Sequence, residues 1–370
     1  MEKDNNNKEK LNEERINWKF CPNCGFELPS ISNLKFCTNC GVNLIYIKQN
    51  KQLPPNYMKR QSALKKSIEV SDIGRYNEST GIFEKLTEED LPFNKDTKLW
   101  STSASIGLAI SSFFIMNSIL FVATFLMLLL IPYSLISGSI LNNIYFIIFS
   151  SFSEFSLILL PVIYVRRYLQ KPTLKNRLAI FGFTTKNYNY KQILKEIFFG
   201  LLFGFIGVIS VLSISYLLEF ILESIFGSNI IRNIGENSNG FDQVIANSDP
   251  FSIILLIIIM FIVIAPSEEI LFRGFLQKGL VRSLSKKSGI MITAIIFTFI
   301  HLIGNFILYP LISIEFLISM IMSFIPYLVI SLILGLIYEW RKENLIAPII
   351  THAFYNSLTI MFVFFAFNFF

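Results

Sequence analysis

The chain has 370 residues, 53% hydrophobic and 15% aromatic, with mean hydropathy +0.55. These values exclude an ordinary soluble domain and a disordered chain alike, and imply a polytopic membrane protein. The net charge of +6 is modest, and the basic residues gather in particular loops, a mark of topology that gives no expectation of nucleic-acid binding.

Residues 1–20 are a polar tail, and the first fourteen, rich in Asn, Lys and Glu, are expected to be disordered. Residues 21–45 hold every cysteine: Cys21-Pro22-Asn23-Cys24-Gly25, then Cys37-Thr38-Asn39-Cys40-Gly41. Each CxxCG is a tight turn that aims two thiolates at one ion, with the glycine taking the unusual backbone angle. Four thiolates close a tetrahedral shell, so the expected cofactor is a structural zinc that holds together a segment too small for its own core. No apolar segment precedes the cysteines, so no signal peptide is expected and metal is favoured over disulfides. The segment resembles the short zinc-ribbon modules of many membrane and regulatory proteins. Residues 46–99, with Pro54-Pro55 and Glu88-Glu89-Asp90, read as a cytosolic linker.

About half of the charged side chains lie before residue 100, and the apolar runs lie after it. A spanning helix needs about twenty apolar residues. Seven stretches qualify: 104–131, 143–165, 197–222, 251–276, 289–307, 313–339 and 345–368. Pro326 divides the sixth into two shorter pieces in an eight-span alternative. The expected fold class is therefore an all-α polytopic membrane protein with a small N-terminal zinc-ribbon module, the membrane domain covering 100–370.

Basic and neutral connections alternate along the body. Lys95 and Lys98 precede the first span; Arg166, Arg167, Lys171, Lys175 and Arg177 open the connection after the second. Lys278, Arg282, Lys286 and Lys287 follow the fourth, and Arg341 and Lys342 the sixth. The positive-inside rule puts these connections and the head in the cytosol and the C-terminus outside, in a multi-pass protein of the cell membrane. A cytosolic head also suits reduced, metal-bound cysteines.

Ionisable groups inside a bilayer are costly and mark function. Ser267-Glu268-Glu269-Ile270-Leu271-Phe272-Arg273 lies in the fourth candidate span, Phe297 and His301 in the fifth, and His352 and Asn356 in the seventh. Glu269 and Arg273 share a helical face at a spacing suited to an ion pair, while Glu268 is rotated about 100° away, toward a cavity. Pro266 is expected to kink its helix. Counted from the cytosolic loops at about 1.5 Å per residue, Glu268, His301 and His352 all fall roughly 12–21 Å deep, near enough to converge. Glu268 is a general base for water, His301 shares in orienting that water or passing its proton, and His352 and Asn356 donate to an oxyanion. No nucleophile accompanies them, so direct attack by water is the favoured scheme.

EExxxR, FxxxH and HxxxN on successive late spans resemble the CaaX prenyl protease and bacteriocin-processing family of intramembrane proteases, over roughly 250–360. The resemblance implies Glu268 with His301 as water activators, His352 and Asn356 as oxyanion stabilisers, and Glu269 and Arg273 in support; Phe297 shapes the cavity. It implies a membrane-associated peptide or protein substrate, prenylated or a leader peptide, in contact with the lipid bilayer, and leaves open whether catalysis needs a metal. One rival makes Glu268, His301 and His352 ligands of a catalytic zinc. Another is a non-enzymatic immunity factor, scaffold or proton-coupled protein. The ribbon is expected to have a cytosolic partner, unnamed by the sequence. Glu154, alone in the second span, reads as a buried packing residue before a cavity residue, and Asn305 lies one turn beyond His301.

Overall fold

The computed structural model describes residues 18–23, 26–29, 34–54, 75–77, 82–84, 100–130, 144–186, 188–238, 240–303 and 313–369. Cys24 and Asn305 lie outside them. The chain divides into two compact units, Met1–Leu86 and Thr87–Phe370.

The first unit contains a short two-fold repeat. Cys21 N donates to Phe26 O and Leu28 N to Lys19 O; sixteen residues on, Cys37 N donates to Val42 O and Leu44 N to Lys35 O. Gly41 takes a φ of 69°, which closes its turn without the penalty a side chain would bring. Helix α1 (Leu44–Asn50) follows, its first turn capped by the Asn43 side chain. Cys21, Leu28, Cys37, Val42 and Leu44 form a very small core, against which Trp18, Leu34 and Ile47 pack. Further on, β1 (Arg75–Asn77) and β2 (Ile82–Glu84) pair antiparallel.

The second unit is all helix among its described residues: α2 (Thr102–Leu130), α3 (Ile144–Tyr168), α4 (Leu174–Ile180), α5 (Tyr190–Phe226), α6 (Ser228–Ser238), α7 (Gly240–Ala246), α8 (Pro250–Ser283), α9 (Lys286–His301), α10 (Ile314–Trp340) and α11 (Ile346–Phe369). Six of them, α2, α3, α5, α8, α10 and α11, are long and apolar enough to cross a bilayer. The chain is an all-α polytopic membrane protein. The expected fifth span appears as α9, a helix of 16 residues. The eight-span division is not found, because α10 runs unbroken through Pro326.

The helix starts follow local chemistry. Asn189 and Gln192 make a reciprocal capping box at α5, Asp249 caps α8 ahead of Pro250, and Ser285 and Ser313 cap α9 and α10. Phe114, Phe121, Phe198, Phe220 and Phe362 face outward and are exposed, as suits a surface that lipid covers and water does not.

Among the contacts that hold α11 in place, one is made by small residues and another by polar groups. Gly200 and Gly204 of α5 lie against it; a Cβ on Gly200 would sit 2.5 Å from Ile350 Cβ, and one on Gly204 2.9 Å from Phe354 Cδ1. This is the small-residue approach by which membrane helices pack closely without a hydrophobic drive. At the other contact, a buried polar knot joins three connections. Lys278 donates to Ile180 O (2.7 Å) and pairs with Glu343 (3.2 Å), which also takes Arg282 (2.7 Å). Tyr338 donates to Phe181 O and Leu345 N to Gly182 O. Gly182 takes a φ of 94°, where a Cβ would meet the Glu343 carbonyl. Burial pushes the Glu343 carboxyl up, but Lys278 and Arg282 outweigh it and hold the group below the usual glutamate range. Lys278 and Arg282, assigned above to a basic loop, are thus helical and ion-paired, because α8 continues to Ser283.

Candidate active site

Helix α8 is irregular where its charges lie. Met260–Ile264 and Ile270–Gln277 are π-helical, and a single α-helical stretch, Ala265–Glu269, separates them. Pro266 falls in the first turn of that stretch, where its missing N–H coincides with the change of hydrogen-bond register. π-Helical turns inside α-helices frequently sit at functional sites. Here they bracket Ser267, Glu268 and Glu269, all buried.

The two adjacent glutamates have different partners. Glu269 Oε1 accepts from Arg273 Nη1 at 2.8 Å and from His352 Nδ1 at 2.8 Å. Arg273 is fully buried and also donates to Ser331 through the backbone oxygen (3.3 Å) and Oγ (3.0 Å). Glu268 makes no ion pair with arginine or lysine among the described residues. Its Oε1 lies 3.9 Å from His301 Nε2 and its Oε2 3.8 Å from His352 Nε2. Those separations are too long for direct hydrogen bonds and suit a bridging water.

The imidazoles are fixed through their other nitrogens. His301 Nδ1 lies 2.8 Å from Phe297 O. A carbonyl only accepts, so Nδ1 carries the proton. A carboxylate likewise only accepts, so His352 Nδ1–H donates to Glu269. In the neutral form both rings therefore turn an Nε2 lone pair toward Glu268. Three acceptor groups that face one another need a donor between them, and water supplies two protons. The His301 side chain keeps 24% of its surface accessible against 6% for His352, so His301 is the more accessible of the two imidazoles.

Phe297 binds these parts together by packing. Its ring lies 4.2 Å from the His301 ring, 4.9 Å from Phe272 and 6.2 Å from the His352 ring, and the Arg273 guanidinium sits 4.8 Å from its centroid. Asn356 is four residues past His352, and its side chain lies against Met260, Nδ2 to Sδ 3.7 Å. The structure thus brings Glu268, Glu269, Arg273, Phe297, His301 and His352 to one place, with Asn356 beside the first π-helical segment.

Three contributors had no sequence signal. Ser331 receives Arg273 across 58 residues of chain, and nothing short-range reports that pairing. Tyr327 of α10 packs its ring 4.8 Å from His301; its neighbour Pro326 drew notice only as a helix breaker. Met260 faces Asn356 from an ordinary apolar run.

Two imidazoles and a carboxylate are chemically a zinc donor set, with Nδ1–H groups engaged as in metal-bound histidines. Their spacing differs from that of a shared-ion site. Among the described residues, the group of three or more whose ligand atoms all lie within 4.8 Å of one another is Cys21, Cys37 and Cys40. Glu268 lies 3.9 Å from His301 Nε2 and 3.8 Å from His352 Nε2, so the three side chains would have to draw closer to share one ion. In the cysteine group, Cys21 and Cys40 Sγ are 3.8 Å apart. Burial pushes the Cys37 thiol up, but hydrogen bonds from the Cys40 and Asn39 backbone and the neighbouring thiols bring it down to about 7, toward the thiolate a metal needs. This cluster is able to hold a metal ion.

Fold and site together define a helical integral membrane protein with a buried glutamate–histidine constellation suited to hydrolysis. Residues 250–358 match the family model of the type II CAAX prenyl endopeptidase, Rce1-like. This stretch, which includes Glu268, Glu269, Arg273, Phe297, His301, His352 and Asn356, is an Rce1-like domain, and the family is one of proteases. No curated protein and no solved structure gives a match to the chain.

Proposed function

We propose that this protein is an intramembrane endopeptidase that hydrolyses a peptide bond with water activated by Glu268 and oriented by His301. The observation that carries this reading is the placement of one carboxylate between two imidazole Nε2 atoms, at 3.9 and 3.8 Å, inside the Rce1-like stretch. A water between Glu268 and His301 gives one proton to the carboxylate and is held at the imidazole lone pair. Its oxygen then attacks the peptide carbonyl. His352 is held by Glu269, which is itself neutralised by Arg273, and in its protonated form its Nε2–H would donate to the carbonyl oxygen as charge develops there. Asn356, four residues further along α11, supplies an amide N–H to the same oxygen after leaving Met260.

The substrate is a peptide held at the membrane, with a prenylated C-terminus or a leader peptide as the two classes the family chemistry offers. If α9 crosses with the six long helices, the positive-inside distribution supports a cytosolic head and an outer C-terminus, and cleavage is then assigned to the cytosolic side. Cys24 joins Cys21, Cys37 and Cys40 around a structural zinc, and the ribbon so formed recruits a cytosolic partner.

The test compares peptide termini in native-host membranes carrying wild type or Glu268→Gln at matched abundance. Termini present with wild type and absent with the variant are expected, and they name the substrates. Identical termini, with the variant inserted and folded, would overturn proteolysis in favour of a scaffold or proton-coupled role.

A further inference from the structure

The helix α3 loses its regular form opposite the glutamates. Phe152–Ile158 is a 3-10 helix seven residues long, longer than such segments usually run and typical of a strained or functional place. It packs on Ala265–Glu269 and on both π-helical segments of α8. Within it lies Glu154, whose Oε2 is buried without a hydrogen-bond partner. Its carboxyl is close enough to Glu268 for the two to act on each other electrostatically, yet no hydrogen bond joins them. Glu268 Oε2 is itself buried and unpartnered. Glu269 Oε2 is likewise buried and unpartnered. An orphaned buried carboxyl oxygen is expensive, and such oxygens facing each other from two packed helices point to a shared use.

We propose that Glu154 is the proton donor of the reaction, the acid that complements Glu268 as base. This rests on the hydrolytic reading above. Water gives a proton to Glu268 as its oxygen bonds to the carbonyl carbon. When the carbon–nitrogen bond breaks, its electron pair takes the Glu154 proton and the nitrogen leaves as a neutral amine. The proton on Glu268 then returns to Glu154 through the cavity, and both carboxyls are restored. Two carboxyls at one site, one ionised and one protonated, divide base and acid work in this way in other hydrolases. Of the elements packed on Phe152–Ile158, α2 has no ionisable side chain, and α8 carries Glu268, Glu269 and Arg273, of which Glu268 acts on Glu154.

The experiment follows, in isolated native membranes, the rate at which Glu268-dependent termini appear for wild type, Glu154→Gln and Glu154→Asp, across pH. Glutamine keeps the shape and polarity of glutamate but donates no proton. A donor role predicts a rate about 100-fold lower for Glu154→Gln, an intermediate rate for Glu154→Asp, and loss of the decline in rate that wild type shows as its acid ionises at high pH. A packing role predicts that Glu154→Gln works at the wild-type rate, which overturns the proposal. Equal losses in both variants with an unchanged pH profile overturn it as well. If wild type and Glu268→Gln yield the same termini, the hydrolytic reading fails in its own arm and this inference falls with it.

Discussion

The ribbon and the membrane site are both small polar constellations, but they are assembled by opposite means. In the ribbon, the ligand residues lie within 20 positions, and a sixteen-residue repeat of backbone hydrogen bonds sets them up. Its core is little more than Cys21, Leu28, Cys37, Val42 and Leu44, so small that a metal bound by the thiolates would supply much of its order. In the body, Glu268, His301 and His352 are spread over more than 80 residues and three helices. There, packing places the site. The π-helical turns, the glycine face of α5 and the polar knot at Glu343 are made by contacts within the body itself. Local chemistry builds the first; global topology builds the second.

The strongest challenge to that contrast is Glu269→Gln. Glu269 and Arg273 are both fully buried, and once the carboxylate is gone the guanidinium keeps its hydrogen bonds to Ser331 and the face of Phe297 but loses its ion pair. Removing one partner of such a pair leaves an unpaired buried charge and costs about 3–5 kcal/mol. The variant is expected to lose that much stability in detergent unfolding, and to lose turnover because His352 is no longer held. Glu268→Gln, which breaks no hydrogen bond within the site, should lose turnover at nearly wild-type stability. If both variants are equally stable, the division of the glutamates into a structural and a chemical member is wrong.

A smaller effect is expected at Glu343. Its carboxyl is held below the ordinary range, because Lys278 and Arg282 outweigh its burial. A group depressed in the folded state stabilises at pH values above its unfolded value and loses that contribution as pH falls through its folded value. The body should therefore keep a constant melting temperature down to about pH 5 and decline below about pH 4, near and under the ordinary glutamate pKa. Glu343→Gln should lower the plateau and remove the part of the acid decline that belongs to this group. An unchanged acid limb would mean the knot does not fix the α10–α11 turn.

The sequence made part of this legible for physical reasons. Charges in apolar runs are rare enough that Glu268, Glu269, Arg273, His301 and His352 drew notice without any geometry, and the apolar runs located the long helices within a few residues except at the start of α5 and the end of α8, each of which runs seven residues further. The spacing of Glu269 and Arg273 carries their pairing, because i and i+4 share a helical face. Other features depend on distant partners. Ser331 and Tyr327 look like ordinary residues of α10 until that helix is set against α8 and α9. Gly200 and Gly204 matter only because α11 lies on them. The π-helical and 3-10 stretches leave no mark in an apolar sequence, and the length of α9 depends on where its chain turns after His301.

The smallest expected effect on turnover, and the sharpest test of the contrast, comes from the ribbon. Among the described residues, Cys21 and Cys37 are the buried thiols, and Cys21→Ser with Cys37→Ser removes half of the CxxCG ligands. The purified wild-type chain should carry a single zinc by elemental analysis, and the double variant none. Because the ribbon relies on its ligand and the body on its packing, the variant should lose the ribbon's order while the body keeps its melting temperature and its Glu268-dependent cleavage in isolated membranes, where a recruited partner is not limiting. Zinc retained by the double variant would instead locate an ion in the body, with Glu268, His301 and His352 as the first donors to examine. The water mechanism would then give way to one in which those three side chains close on a metal.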